Sequence, residues 1–208
     1  MRILLTGFEP FGSSDINSSW ETAYHIGQLA ISGVEMKVVQ LPVSFISSGK
    51  LIRKLLQTHK PDALVMLGQR GKGQSIDIER IAINMMDSVN PDNDGYCPHE
   101  LPIVENGSNA YFSNVAVKTL MNALENSNIP SRVSNSAGLY VCNCTYYHAL
   151  SEIFDKELST KAVFVHLPKL GNVFTVELLV KAIKKIIEEF LKQQEWKNYR
   201  RLQNSRKS

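Results

Sequence analysis

The chain predicts an α/β fold: a single domain of three layers, α/β/α, around a mostly parallel, twisted central sheet. Short apolar runs at residues 2–6, 34–41 and 63–67 have the length and β-branched content of buried strands. Amphipathic stretches of helical period separate them, and a chain can return to pair a strand in parallel only through such a crossover. The 208 residues suffice for one sizeable core, and no shift of composition divides them.

Taken in order, residues 2–6 read as a strand closed by Gly7. The next stretch, GFEPFGSSDIN, is turn chemistry apart from Phe8, Phe11 and Ile16. Two phenylalanines in such a loop either anchor it to the core or line an apolar pocket at the strand's carboxyl end, where open α/β sheets bind ligands. Ser18 followed by Glu21 matches a capping box and opens a helix to about residue 30, which Gly33 ends. The second strand, 34–41, stops at Pro42. A helix over 47–58 carries Leu51, Ile52, Leu55 and Leu56 and leads to the third strand. The glycines of GQRGKGQSIDIERIAINMMD fit neither nucleotide-binding fingerprint, because no helix follows them. The segment then alternates as a strand, with Glu79, Ile81, Ile83 and Met85 in one phase. A carboxylate sharing a face with apolar side chains sits at an exposed strand end or is buried with a partner such as an imidazole. Residues 90–107, rich in Pro, Asn, Asp and Gly, form an excursion long enough to be functional. Ser108 or Asn109 caps a helix through Ala116, Leu120 and Leu124. A strand at 132–134, a helix over 142–156, a strand at 162–166 and an amphipathic helix over about 173–192 complete the chain.

The segment SAGLYVCNCTYYH, residues 136–148, carries the candidate chemistry. It delivers Cys142 to a helix start, where unpaired N–H groups and the dipole favour a thiolate and can hold an oxyanion. A small buried hydrophobe is the competing role for Cys142. His166 ends a strand expected to run parallel to the one before Cys142, which puts both on one edge of the sheet. A thiol nucleophile needs such a base, and the base needs a third group to hold its tautomer; Glu79 can supply it.

Composition narrows the range of functions. Hydrophobic content of 43% and charged content of 21% are those of an ordinary globular chain, with no apolar run long enough to span a bilayer. The N-terminus reads as a first strand rather than a signal peptide. Cys97, Cys142 and Cys144 cannot all pair, so reduced thiols and a cytoplasmic setting are expected. The net charge of +3 resides in the tail, where six Lys or Arg follow from Lys192 against one Glu. Without a reading motif, that tail from about residue 195 is expected to be a frayed, solvated helix end rather than a nucleic-acid contact. Cys97, His99, Cys142, Cys144 and His148 offer zinc donors, but at spacings unlike those of structural zinc sites. Two further functions compete: a redox-sensing protein pairing Cys142 with Cys144, and a nucleoside phosphorylase-like enzyme using the glycine loop. Adjacent cysteines at a helix start constrain little, and no arginine cluster serves the loop.

Four segments, TGFEPFG at 6–12, ERIAIN at 79–84 with PDNDG at 91–95, SAGLYVCN at 136–143 and FVHLP at 164–168, together resemble the pyroglutamyl peptidase I family of cysteine peptidases. The resemblance implies a catalytic triad of Glu79, Cys142 and His166 and removal of N-terminal pyroglutamyl residues from peptides. It makes Phe8 and Phe11 walls for the flat ring, Gln69 a polar contact to its amide, and Tyr140 and Val141 further substrate-binding residues beside the nucleophile. No metal or cofactor is implied; a homotetramer is. Departures from the family pattern are RGKGQ at 70–74, Val89 in place of an Arg, Tyr140 in place of a Phe, and Cys144 in place of a His.

Overall fold

Eight strands and five helices make up the computed structural model, which describes residues 1–71 and 73–205, with side chains to residue 193. In order they are β1 (Arg2–Phe8), α1 (Ser18–Gly27), β2 (Glu35–Leu41), α2 (Phe45–His59), β3 (Ala63–Arg70) and β4 (Ile76–Glu79). Then come β5 (Ile81–Ile83), β6 (Ala110–Phe112), α3 (Val117–Glu125), β7 (Ser131–Ser134), α4 (Val141–Asp155), β8 (Lys161–Pro168) and α5 (Val176–Ser205). Six strands make the central sheet in the order β2-β1-β3-β8-β4-β7, while β5 and β6 pair separately.

Side-chain alternation divides the core into two apolar layers. Ile3, Leu5, Val65, Val163 and Val165 face α1, α3 and α5. Leu4, Leu64, Met66 and Phe164 face α2 and α4. Both faces of the inner strands are therefore covered, which is why β1, β3 and β8 read as unbroken apolar runs. The three-layer α/β/α class follows.

Strand direction departs from expectation. The four strands β2, β1, β3 and β8 run in parallel, but β4 pairs antiparallel to β8 and parallel to β7, so both oppose the rest. Cys142 and His166 thus do not share an edge by following parallel strands. Residues 135–140 instead return the chain from the end of β7, with Gly138 supplying a positive φ of 78° in that turn.

Several boundaries also differ. The alternating segment after Glu79 is not one strand: the Arg80 peptide donates to Ser134 and accepts from Ser113, which turns the chain out of the central sheet into β5. Residues 110–112 form a strand rather than a helix turn because β5 offers them ladder partners, and α3 begins only after Ala116. Asn17, not Ser18, caps α1, its Oδ1 accepting from the Ser19 N–H; the Ser18 N–H is committed to Gln69 Oε1. Ser44 caps α2, which starts earlier than expected, and Thr175 caps α5, which starts later. α5 runs beyond residue 192, and the expected frayed basic tail falls on side chains outside the described residues. No helix among the described residues is long and apolar enough to cross a membrane.

Candidate active site

The site lies on the face of the sheet covered by α2 and α4. On β8, alternation sends Phe164 and His166 to that face, and the register sets Gly68 of β3 beside His166. A Cβ at Gly68 would lie 2.8 Å from the Phe164 ring and 3.0 Å from Cys142 Sγ. The missing side chain is what lets the thiol settle against the sheet. Cys142 sits in the first turn of α4, whose N-cap, Tyr140, provides no side-chain hydrogen bond. The leading N–H groups are left for whatever occupies the cavity beside them.

Glu79 pairs with Phe164 across the antiparallel ladder and so stands diagonal to His166 on the same face, within reach of a long side chain. Glu79 Oε1 lies 2.7 Å from His166 Nδ1, with both side chains buried. With Nδ1 so occupied, Nε2 remains for the hydrogen bond to Cys142. Burial alone would push the imidazole below its usual range. The charge of the Cys142 thiolate, their hydrogen bond and Glu79 outweigh it and raise the His166 pKa to about 9. The arrangement therefore favours an imidazolium held between a buried carboxylate and the Cys142 sulfur.

A cavity of about 550 Å³ opens over the thiol, lined by Phe8, Phe11, Val43, Gln69, Tyr140 and Val141 together with Cys142 and His166. Of the triad and substrate-binding residues expected from sequence, all line it except Glu79, which lies fully buried behind the imidazole. Phe8 belongs to β1 and not to the following loop; it both packs on Phe164, ring centroids 6.4 Å apart, and lines the cavity. Anchor and pocket wall are thus one and the same side chain. Phe11 and Tyr140 face each other at 6.4 Å, and Tyr140 is braced edge-on by Phe45 at 5.2 Å. Gln69 Oε1 accepts from the Ser18 N–H at 2.8 Å, while its buried Nε2 has no partner and is a spare donor at the cavity wall.

Four residues that sequence reasoning missed organise this site. Arg70 Nη1 contacts Asp77 Oδ2 at 2.9 Å, and its Nη2 donates to Glu79 Oε1 at 3.2 Å and to the Ser136 carbonyl at 3.1 Å. Arg132 donates to both Asp77 oxygens, at 2.7 and 2.8 Å. Burial alone would raise the Asp77 carboxyl; hydrogen bonds from Arg132 and Ser75 and the charge of Arg70 hold it below its usual range. Asn143 binds the Ile83 N–H and the carbonyls of Ile83 and Met85, locking α4 to the segment after β4. The one legible signal was Asp77 two residues before Glu79, two acids on one strand face that require cations.

The other cysteines are placed elsewhere. Cys144 donates to the Phe45 carbonyl between α4 and α2, and burial pushes its thiol up to about 12. His148 Nδ1 accepts from Arg53 at 2.8 Å; burial and that guanidinium lower its pKa to about 4. Cys97 bonds the Ser88 carbonyl. These groups do not converge: among the described residues no three His, Cys, Asp or Glu are grouped to hold a metal.

A thiol, an imidazole and a carboxylate in line beside an apolar cavity on an α/β sheet are the parts of a thiol hydrolase. The pyroglutamyl peptidase family model matches residues 1–185. A pyrrolidone-carboxylate peptidase of Thermococcus onnurineus is 42% identical over 200 residues, covering 92% of this chain and all of the relative. One from Enterococcus faecalis is 35% identical, covering 82% of this chain and 79% of the relative. Crystal structures of the pyrrolidone carboxyl peptidase of Fervidobacterium islandicum and of pyroglutamyl peptidase I of Bacillus amyloliquefaciens superpose with TM-scores of 0.87 and 0.84. They are 34% and 30% identical, cover 92% and 89% of this chain, and are themselves covered to 99% and 94%. The chain belongs to the pyroglutamyl peptidase family of cysteine peptidases.

The departures noted in the sequence have structural settings. The Tyr140 hydroxyl donates to the Pro91 carbonyl at 2.9 Å, tying the flank of Cys142 to the long loop. Val89 is 92% exposed and lines an adjoining cavity rather than the one above Cys142. Arg70 in RGKGQ is the guanidinium bonded to Glu79.

Proposed function

We propose that Cys142, His166 and Glu79 remove an N-terminal pyroglutamyl residue from peptides through a thioacyl intermediate. The Cys142 thiolate attacks the carbonyl carbon of the pyroglutamyl residue, and N–H groups at the start of α4 receive the developing oxyanion. His166 passes a proton to the leaving amine, then takes one from the water that cleaves the thioester; Glu79 keeps the imidazole ring oriented in both protonation states. Phe8, Phe11, Val43, Tyr140 and Val141 offer apolar contact to the ring's faces, and Gln69 Nε2 offers a donor to its lactam carbonyl. A free amino terminus would place an ammonium there without a partner, which selects for the uncharged lactam.

The observation that carries this reading is the hydrogen-bonded line of Glu79, His166 and Cys142 beside a mostly apolar cavity of about 550 Å³. Its test is release of a fluorogenic amine from the pyroglutamyl derivative, beside the prolyl and glutamyl analogues. Turnover of the first alone, abolished in Cys142→Ala, is expected; an inactive wild-type protein, or an active Cys142→Ala with a dead Cys144→Ala, rejects it. The same reading takes the chain as one catalytic domain, assembled as a cytoplasmic homotetramer. Sedimentation equilibrium giving the mass of a single chain would remove the tetramer.

A further inference from the structure

Asp77 and Glu79 stand two residues apart on one face of β4, 1% and 0% exposed. Two carboxylates so close and so dry repel each other and lack hydration, so at least one takes up a proton unless cations compensate both. Arg132, from β7, is committed to the two oxygens of Asp77. Arg70, from the end of β3, is the guanidinium that reaches both acids, and its third contact is the carbonyl of Ser136 in the loop before the nucleophile. The other groups facing the pair are Ser75, donating to Asp77; His166 of β8 with Cys142 of α4; and Tyr146 of α4, whose hydroxyl bonds the Glu79 carbonyl.

We propose that Arg70 is a positioning residue for the reaction: its guanidinium bridges the buried side chains of Asp77 and Glu79 and ties them to the loop that delivers Cys142. The inference rests on the triad reading above. Arg70 acts through Glu79 and Ser136 and makes no covalent step of its own. Its planar fork matters, because one guanidinium meets three acceptors on two segments, β4 and the loop before Cys142, whereas an ammonium cannot span them. The charges also close: Asp77 and Glu79 against Arg70 and Arg132, and the Cys142 thiolate against the His166 imidazolium. Without Arg70 the buried cluster carries one uncompensated negative charge.

The sign of the consequence is fixed. Against the cost of burial, hydrogen bonds from Arg132 and Ser75 and the charge of Arg70 hold Asp77 below its usual range, so removing Arg70 lets that carboxyl take up a proton at higher pH and disturbs the arrangement it shares with Glu79. The acid limb of kcat/KM then moves upward. The imidazolium also loses a nearby like charge, so the alkaline limb does not move down. Loss of structure alone would reduce the fraction of active protein and leave both limbs where they were.

The test compares wild type, Arg70→Met, Arg70→Lys and Arg70→Met/Asp77→Asn on the fluorogenic pyroglutamyl amide, with rates divided by active sites titrated with a thiol alkylating agent. Arg70→Met is expected to lose about 10- to 100-fold in kcat with KM within about threefold, as for misplaced reacting groups. Its acid limb should rise by about one pH unit or more, as for loss of an adjacent opposite charge. Arg70→Lys should keep the wild-type limb at reduced kcat, and removing the Asp77 charge should return the limb of Arg70→Met toward wild type. The inference is overturned by an Arg70→Met enzyme with wild-type limbs, by a loss confined to KM, or by one that vanishes after active-site titration. An inactive wild-type protein defeats the proposed function itself, whereas an active wild type with an indifferent Arg70→Met defeats only the role of Arg70.

Discussion

Gly68→Ala is the sharpest single-atom probe of the site. The added methyl would lie 2.8 Å from two carbons of the Phe164 ring and 3.0 Å from Cys142 Sγ, roughly half an ångström inside ordinary van der Waals contact on both sides. The sheet cannot yield easily, because β3 is hydrogen-bonded to both β1 and β8 and is buried on both faces. Either Phe164 tilts, disturbing its contact with His166 at 4.9 Å, or the thiol swings away from the imidazole. Overpacking of this kind costs about 1–3 kcal/mol of stability. Displacing a reacting atom by a fraction of an ångström to 1 Å costs about 10- to 100-fold in rate. The assay is kcat/KM for the pyroglutamyl amide on samples matched by active-site titration, with urea unfolding as the stability measure. A fall in kcat larger than the fall in folded fraction is expected. Gly68→Ala with kcat/KM within twofold of wild type would refute the claim that an empty position under the thiol sets its geometry.

Further expectations follow from the charges and contacts around the site. The His166 pKa is raised from 6.5 to about 9, so the imidazolium's contribution to stability is complete below pH 6.5 and is lost as pH rises through about 9. Urea midpoints at pH 6 and pH 10 should therefore diverge more in wild type than in Cys142→Ala, and an equal divergence would contradict the thiolate as the cause. His148 has the opposite sign: its pKa is lowered to about 4, so the stability of its buried neutral form is present above pH 6.5 and fades as pH falls through 4. His148→Gln should blunt unfolding in that acid window. With the Cys144 thiol pushed up to about 12, alkylation at pH 7 followed by peptide mapping should modify Cys142 and spare Cys144; prior labelling of Cys144 would reverse that assignment. Tyr140→Phe deletes the hydroxyl bonded to the Pro91 carbonyl, a bond worth about 1 kcal/mol, and should raise KM about two- to fivefold with kcat kept.

Much of the site was legible without coordinates. Phe8, Phe11, Gln69, Tyr140 and Val141, which the resemblance to the family implied as substrate-binding residues, all line the cavity. What could not be read was decided at a distance. The Arg70–Asp77–Arg132 cluster joins β3, β4 and β7, and nothing within any one segment names its partners. Residues 108–112 likewise carry a plausible cap and helix start, but Asn84 and β5 supply hydrogen-bond partners that hold them extended, and the Arg80 carbonyl does the same for Ser113.

The sequence by itself determined the layered α/β class, because apolar periodicity acts over a few residues, and it offered Cys142, His166 and Glu79 as candidates that the resemblance of four motifs to a peptidase family then singled out. Only the tertiary structure decided the direction of β4 and β7, and with it the way the three side chains meet. Strand direction depends on which distant edge supplies hydrogen bonds. Here pairing β4 antiparallel to β8 stands Glu79 diagonal to His166, where the carboxylate can be buried against the imidazole.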